Sequence, residues 1–397
     1  MAAKVVGIPL QKVLRVDIWH SILWSRYKAR VFGDLYQIAN KNGAEFRFFH
    51  IAETSDNRLG LGVADIADHA YPHVLLFRGS YDRVSKVRLY AKCFWLVWRS
   101  PADLIVLQGY GEGEYWLQAL AVLMRGKKLA VNSDATIYDH EQVAIKLVLK
   151  RLFFSFCSGV MCYGERAVSY VRSMGVPKTR IWTRCQAPAL PQNYSVADAL
   201  AKRTSHHLDS SKPRVLFVGR LAPEKGVAVL LKAFQLLLED YPGATLAIVG
   251  SGPEQANLQA LVAELGLGSM VEFAGPRVGE ALWDEILRSN CLVLPSIHEP
   301  WGLVANEALS YGCPIVVSDH CGCVPELVIE NRTGYVARAG DAEDLASKIG
   351  MALKLSYNCE ETAKACVEVA SQYTSERSAA QIFQACQSIV QGGGPAT

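Results

Sequence analysis

Residues 298–314 read HEPWGLVANEALSYGCP, which sets Glu299 and Glu307 eight positions apart. A carboxylate accepts two hydrogen bonds side by side, so each glutamate can hold the vicinal diol of a polyol. Between them, Gly302, Leu303 and Val304 stand where a helix would begin. The first N–H groups of a helix lack intrahelical partners and carry partial positive charge, which suits a phosphate. Two diols with phosphates between them describe a sugar nucleotide. Two surface glutamates beside a turn satisfy the same spacing, so the rest of the chain must decide.

Other corners carry matching chemistry. VGRLAPEKG (218–226) holds Gly219, then Arg220 and Lys225 flanking a turn, and two such cations can meet a diphosphate. In VGSGPE (249–254), Gly250 and Gly252 permit close approach of backbone to a ligand. Arg277 follows a third strand and joins the donor-binding candidates. SDHCGCVPELV (318–328) is another such corner, with Gly322. His320, Cys321 and Cys323 in it have poor spacing for zinc, and no metal site is expected.

Positioning these groups requires strands that end at one edge. Apolar β-branched runs predict strands at 214–218, 245–249, 271–273, 291–294, 315–318 and 334–336. Helical spacing predicts helices at 226–240, 254–266, 279–289, 302–311, 324–330 and 341–354, with Gly312 and Pro314 ending the fourth. Such alternation gives a parallel sheet covered on both faces, whose ligands bind beyond the strands' carboxyl ends. The first half repeats the pattern less regularly. Strands are expected at 14–18, 46–51, 74–77, 104–107, 129–132 and 160–162, and helices at 27–41, 82–99, 113–124, 139–155 and 165–174. The polar, proline-bearing stretch between the halves reads as a linker, and the tail QGGGPAT as disordered. The expected divisions are 1–190, a linker at 191–212, 213–372, and a terminal helix with its tail at 373–397.

Taken in order and spacing, VGRLAPEKG, VGSGPE, HEPWGLVANEALSYGCPIVVSD and CGCVPELV resemble the donor domain of the retaining glycosyltransferases of family four. The resemblance covers roughly residues 213–350. It implies the GT-B fold, an α/β architecture of two Rossmann-like domains with parallel sheets flanking a cleft. It further implies that Arg220 and Lys225 bind the donor pyrophosphate and ease departure of the nucleotide. Glu299 would hold hydroxyls of the donor sugar, and Glu307 the ribose diol. Gly302, Leu303 and Val304 would offer backbone N–H groups to sugar or phosphate. Metal-independent, anomer-retaining hexosyl transfer from a UDP- or GDP-linked co-substrate follows, with no other cofactor. One departure is Cys323, where the family often has a second glycine after Gly322.

The first half departs further. WHSILWSRYKARVFGD lacks the family's paired glycines, and CQAPAL replaces its usual Asn-Gly. The strand LAVNSD ends in Asp134, which either acts on the acceptor hydroxyl or caps the next helix. Glu112 and Glu114 read as helix-capping acids with a weaker claim on an acceptor. His20 and His140 read as structural. Two other readings stay open: a phosphorylase on the same fold, and an inactive nucleotide-sugar-binding protein.

Charge is unevenly spread over the 397 residues. Residues 1–186 hold 26 Lys and Arg against 15 Asp and Glu, whereas 187–397 hold 15 against 23. The basic half is expected to face an anion, either an acidic acceptor or an anionic membrane surface. No nucleic-acid module accompanies the charge. The segments 80–100 and 144–156 mix basic with large apolar residues, as core helices with a basic stripe or as interfacial helices. No run is long enough to span a bilayer, the start does not read as a signal peptide, and eleven irregularly spaced cysteines read as reduced thiols. A cytoplasmic enzyme, peripheral at the inner face of a membrane and serving a glycan or lipid-linked acceptor, is the resulting expectation.

Overall fold

The computed structural model describes residues 13–58, 69–138, 144–206, 208–357 and 359–395. Its first half begins with β1 (Arg15–Ile22), α1 (Arg26–Lys41), β2 (Glu45–Ala52) and β3 (His73–Leu75). α2 (Lys86–Arg99), β4 (Leu104–Leu107), α3 (Gly113–Met124), β5 (Lys128–Ser133) and α4 (Ala144–Phe156) follow. β6 (Gly159–Cys162), α5 (Glu165–Ser173) and β7 (Ile181–Trp182) complete it. The strands form one sheet in the order β3-β2-β1-β4-β5-β6-β7, with every pairing parallel. The two-residue β7 is too short to show in the sequence pattern.

After α6 (Val196–Ser205), the second half runs through β8 (Arg214–Val218), α7 (Val227–Asp240), β9 (Thr245–Val249), α8 (Gln255–Glu264) and β10 (Val271–Gly275). It continues with α9 (Glu280–Leu287), β11 (Cys291–Leu294), α10 (Leu303–Ser310), β12 (Ile315–Ser318), α11 (Val324–Leu327) and β13 (Gly334–Ala337). Three helices close the chain: α12 (Ala342–Tyr357), α13 (Cys359–Ala370) and α14 (Ser375–Gln391). This sheet is also parallel, ordered β10-β9-β8-β11-β12-β13. The order reverses between β8 and β11, and a crevice opens at their carboxyl ends at such a switch point. β11 and β12 are buried along their whole lengths, as continuous apolar runs in a doubly covered sheet must be.

Several sequence expectations change. The polar stretch between the halves contains α6, where the Ser195 hydroxyl accepts the Asp198 N–H at the helix start. α6 carries Arg203, which is buried and donates through Nη1 to the carbonyls of Ile286, Leu287 and Ser289 at 3.3, 3.1 and 2.7 Å. These are the last carbonyls of α9 and its exit, and a cation there also meets the helix dipole. α14 returns to the first sheet, where Phe383 stacks on Phe46 at 5.9 Å. The chain is described as far as Pro395, so the expected disorder falls outside the described residues only at 396–397.

The aromatic segments also sort differently from their sequence pattern. Phe153 and Phe154 of α4 are fully buried, and Phe94 and Trp98 of α2 pack partly against the same core. These four pack into the protein, whereas Trp95 of α2 stays 51% exposed. Glu114 is buried and accepts from the Tyr81 hydroxyl, so it neither caps α3 nor meets a ligand. His20 is buried against the Ile22 carbonyl at 2.8 Å, and burial pushes its pKa down to about 3, as suits a structural histidine. His140 lies outside the described residues.

Replacing Arg203 with Ala strips three buried carbonyls of their donor and leaves a void. Chemical denaturation is expected to show a loss of about 3 kcal/mol or more, with Arg203→Lys in between. A loss within about 0.5 kcal/mol, as for an exposed side chain, would contradict the packing described.

Candidate active site

A cavity of about 970 Å³ lies between the two sheets. Its second-half wall is built at the switch point. The corner after β8 is tied to the corner after β11 by backbone: the N–H groups of Ile297 and His298 donate to the Glu224 carbonyl at 2.8 and 3.2 Å. That tie brings Lys225 and Glu299, 74 residues apart, into an ion pair of 2.6 Å with both side chains largely buried. Arg220 pairs with Glu224 beside it. The sequence named three of these four groups as separate ligands; the pairing needs the fold to be seen.

Two glycines set the path around Glu299. Gly302 has φ 96° as the residue before α10, and a Cβ there would sit 2.6 Å from Leu294 Cδ2. A Cβ on Gly322 would fall 1.7 Å from the Pro300 carbonyl oxygen, because the corners after β11 and β12 cross there. At the crossing the Gly322 N–H donates to the Glu299 carbonyl at 2.8 Å. Cys323 precedes α11 with φ −77°, a conformation open to any residue, so the family's second glycine is not needed for this path.

Glu307, in the second turn of α10, faces the cavity half-buried and accepts from the backbone N–H of Ala189. Burial pushes its pKa up to about 7, the Ala189 hydrogen bond opposing this. Gly219, Gly250, Arg277, Gly302, Leu303 and Val304 also line the cavity. Gly252 does not: a Cβ there would meet the Leu221 carbonyl at 2.3 Å, so the loop requires glycine for packing.

The first-half wall holds groups the sequence reading did not single out. Trp24 comes from the turn before α1 and Arg26, Tyr27 and Arg30 from its start, and Arg58 lies with its guanidinium over Trp24 at 4.9 Å. Only the basic run SRYKAR hinted at them. Asp134 stands exposed in this wall beyond β5. It caps no helix among the described residues, since α4 begins ten residues later. Behind it, Lys28 is buried, which pulls its pKa down to about 8 while the Asp134 charge resists the shift.

Contacts across the cleft fix the two walls. Tyr138 stacks on His320 at 4.3 Å, and its carbonyl meets His298 Nδ1 at 2.6 Å. The Glu165 N–H donates to Glu326 Oε1 at 2.5 Å, and burial raises the Glu326 carboxyl to about 7. Cys321 is buried and bonded within the core, with its thiol pushed up to about 12 by burial. No three His, Cys, Asp or Glu side chains come together as a metal site among the described residues.

Residues 198–372, which build this second-half wall, match the family model described as glycosyl transferases group 1. The chain carries a domain of that family. D-inositol 3-phosphate glycosyltransferase of Nocardia farcinica is 34% identical over 167 residues, 40% of this chain and 37% of that relative. The chain thus matches little more than a third of the relative's length. Over nearly its whole length it resembles, in fold, Anabaena HepE in complex with UDP and glucose, with a TM-score of 0.68, 19% identity, and 94% and 98% of the two chains covered. Sucrose-phosphate synthase from Thermosynechococcus elongatus gives 0.67, 22%, and 94% and 98%. These likenesses establish the GT-B fold.

The crossing at Gly322 makes a local test. Gly322→Ala is expected to lower stability by about 2 kcal/mol or more, because backbone must move. Gly268→Ala, with nothing within 4 Å of its Cβ, should change little. Equal thermal stability of the two variants would show that the corners do not cross as described.

Proposed function

We propose that the chain is a retaining glycosyltransferase that moves a hexose from a UDP- or GDP-linked donor to an acceptor hydroxyl. The observation that carries this reading is the gathering of Arg220, Lys225, Glu299, Glu307 and the start of α10 in one cavity at a switch point. Lys225 turns from Glu299 toward the diphosphate, and Arg220 shares its charge. Glu299 then accepts from hexose hydroxyls, while Glu307 holds the ribose diol. Gly302, Leu303 and Val304 present the unpartnered N–H groups of the helix start to the phosphate or sugar.

The bond from the anomeric carbon to the phosphate oxygen breaks, and the acceptor oxygen bonds that carbon on the same face. The leaving phosphate takes the acceptor's proton, which gives a glycoside and a nucleoside diphosphate with the anomeric configuration kept. Basic side chains and the helix end stabilise the departing charge, so activity is expected to survive chelators. The acceptor approaches along the first-half wall, past Asp134, Arg30 and Arg58. Synthesis of a glycan, polysaccharide or glycolipid fits this chemistry. Eleven free thiols, ten of them buried, fit a reducing compartment such as the cytoplasm.

The raised Glu307 carboxyl gives a test with a definite sign. Its folded pKa lies above the unfolded value, so its contribution to stability is full below about 4.5 and is lost as pH rises through about 7. Diol binding needs the carboxylate, so it opposes that loss. Calorimetry with UDP and GDP should therefore show the favoured diphosphate binding roughly ten-fold more weakly at pH 6 than at pH 8. Glu307→Gln should flatten that dependence and weaken binding at pH 8, whereas Glu299→Ala should mainly lower turnover. Equal loss of diphosphate affinity in both variants would contradict the division of roles.

A further inference from the structure

We propose that the outer face of α4 docks in the plane of an anionic lipid bilayer. This surface lies apart from the cavity, and the inference does not depend on what the cavity binds.

α4 is pinned at one end by Phe153 and Phe154, both fully buried. Its opposite face is apolar and open. Ile145, Val148, Leu149 and Leu152 are 70, 62, 48 and 46% exposed. Their spacing of three, four and seven positions makes one stripe along the helix. Scattered exposed apolar residues are ordinary, but a contiguous apolar face on a charged domain marks an interaction surface.

The charge on this face selects the occupant. α4 contains Lys146, Lys150 and Arg151 and no acidic residue. Lys146 and Arg151 are exposed, while Lys150 donates to the Tyr170 hydroxyl at 2.8 Å. A second copy packed about a two-fold axis would set these cations against themselves. An anionic leaflet instead meets the stripe with acyl chain and the cations with phosphate, the long side chains reaching up to the headgroups. At thirteen residues α4 is too short to cross a bilayer, and no described helix is long and apolar enough to do so. α2 is the weaker candidate despite its basic sequence. There Arg83 and Lys86, just before and at its start, pair with Asp56 and Glu112, and Lys92 donates to the Leu76 carbonyl.

Co-sedimentation of the full chain with vesicles tests this. On an equal mixture of phosphatidylcholine and phosphatidylglycerol, binding should exceed that on phosphatidylcholine alone by about ten-fold and fall with added salt. The double variant V148N/L149N should lose about ten-fold in binding with thermal stability unchanged, because both side chains are exposed. K146Q/R151Q should lose the preference for anionic lipid. In Leu149→Trp, the tryptophan emission should shift to the blue on anionic vesicles. Wild-type protein left in the supernatant at low salt would overturn the inference. So would V148N/L149N binding as well as wild type, or a wild-type dimer that V148N/L149N converts to monomer with no vesicle binding.

Discussion

The ion pair between Lys225 and Glu299 is the constraint around which the second half of this molecule is arranged. It joins the loops leaving β8 and β11, the two strands on either side of the switch point. Both partners are mostly withdrawn from water, and neither can be left alone there without a large desolvation cost. The surrounding backbone is committed to holding them. The Glu224 carbonyl ties the two loops, and the Glu299 backbone crosses the β12 corner at the one residue, Gly322, that leaves room. Such a pair is a poor source of stability but a ready place for an anionic ligand. In the proposed reading, a diphosphate replaces the carboxylate at Lys225, and sugar hydroxyls replace the ammonium at Glu299.

The strands and corners of this half are legible in the sequence because each is written locally. β11 and β12 are unbroken apolar runs, and both end where the pattern places them. α10 lies between Gly302 and Gly312, both with positive φ. Legibility stops at relations between distant residues. Nothing local to Lys225 announces Glu299, and the burial that raises the Glu307 carboxyl to about 7 is supplied only by the fold. Gly252 looks like Gly250, and a Cβ on either would strike a neighbouring carbonyl, yet only Gly250 lines the cavity.

In the first half, composition says less than packing. The basic balance was visible, but which helix turns its apolar side outward was not. Phe153 and Phe154 go fully inward and Phe94 and Trp98 partly, while Trp95 and the smaller Ile145, Val148 and Leu149 stay out. That choice is set by packing against the sheet, which no single segment encodes. α6 was hidden for a related reason. Its sequence is polar, and its one deeply anchored residue is an arginine whose partners lie more than 80 positions away.

A structure determined with a nucleoside diphosphate decides the central point. The ligand should be whichever of UDP, GDP and ADP raises thermal stability most, since saturation at a hundred times the dissociation constant adds about 2.7 kcal/mol. The expected result places phosphate oxygens within about 3 Å of Lys225 Nζ and the Arg220 guanidinium, with ribose hydroxyls on Glu307. The Lys225–Glu299 contact should lengthen as the phosphates enter. No stabilisation by any of the three, or a nucleotide bound elsewhere with that contact still at 2.6 Å, would contradict the account.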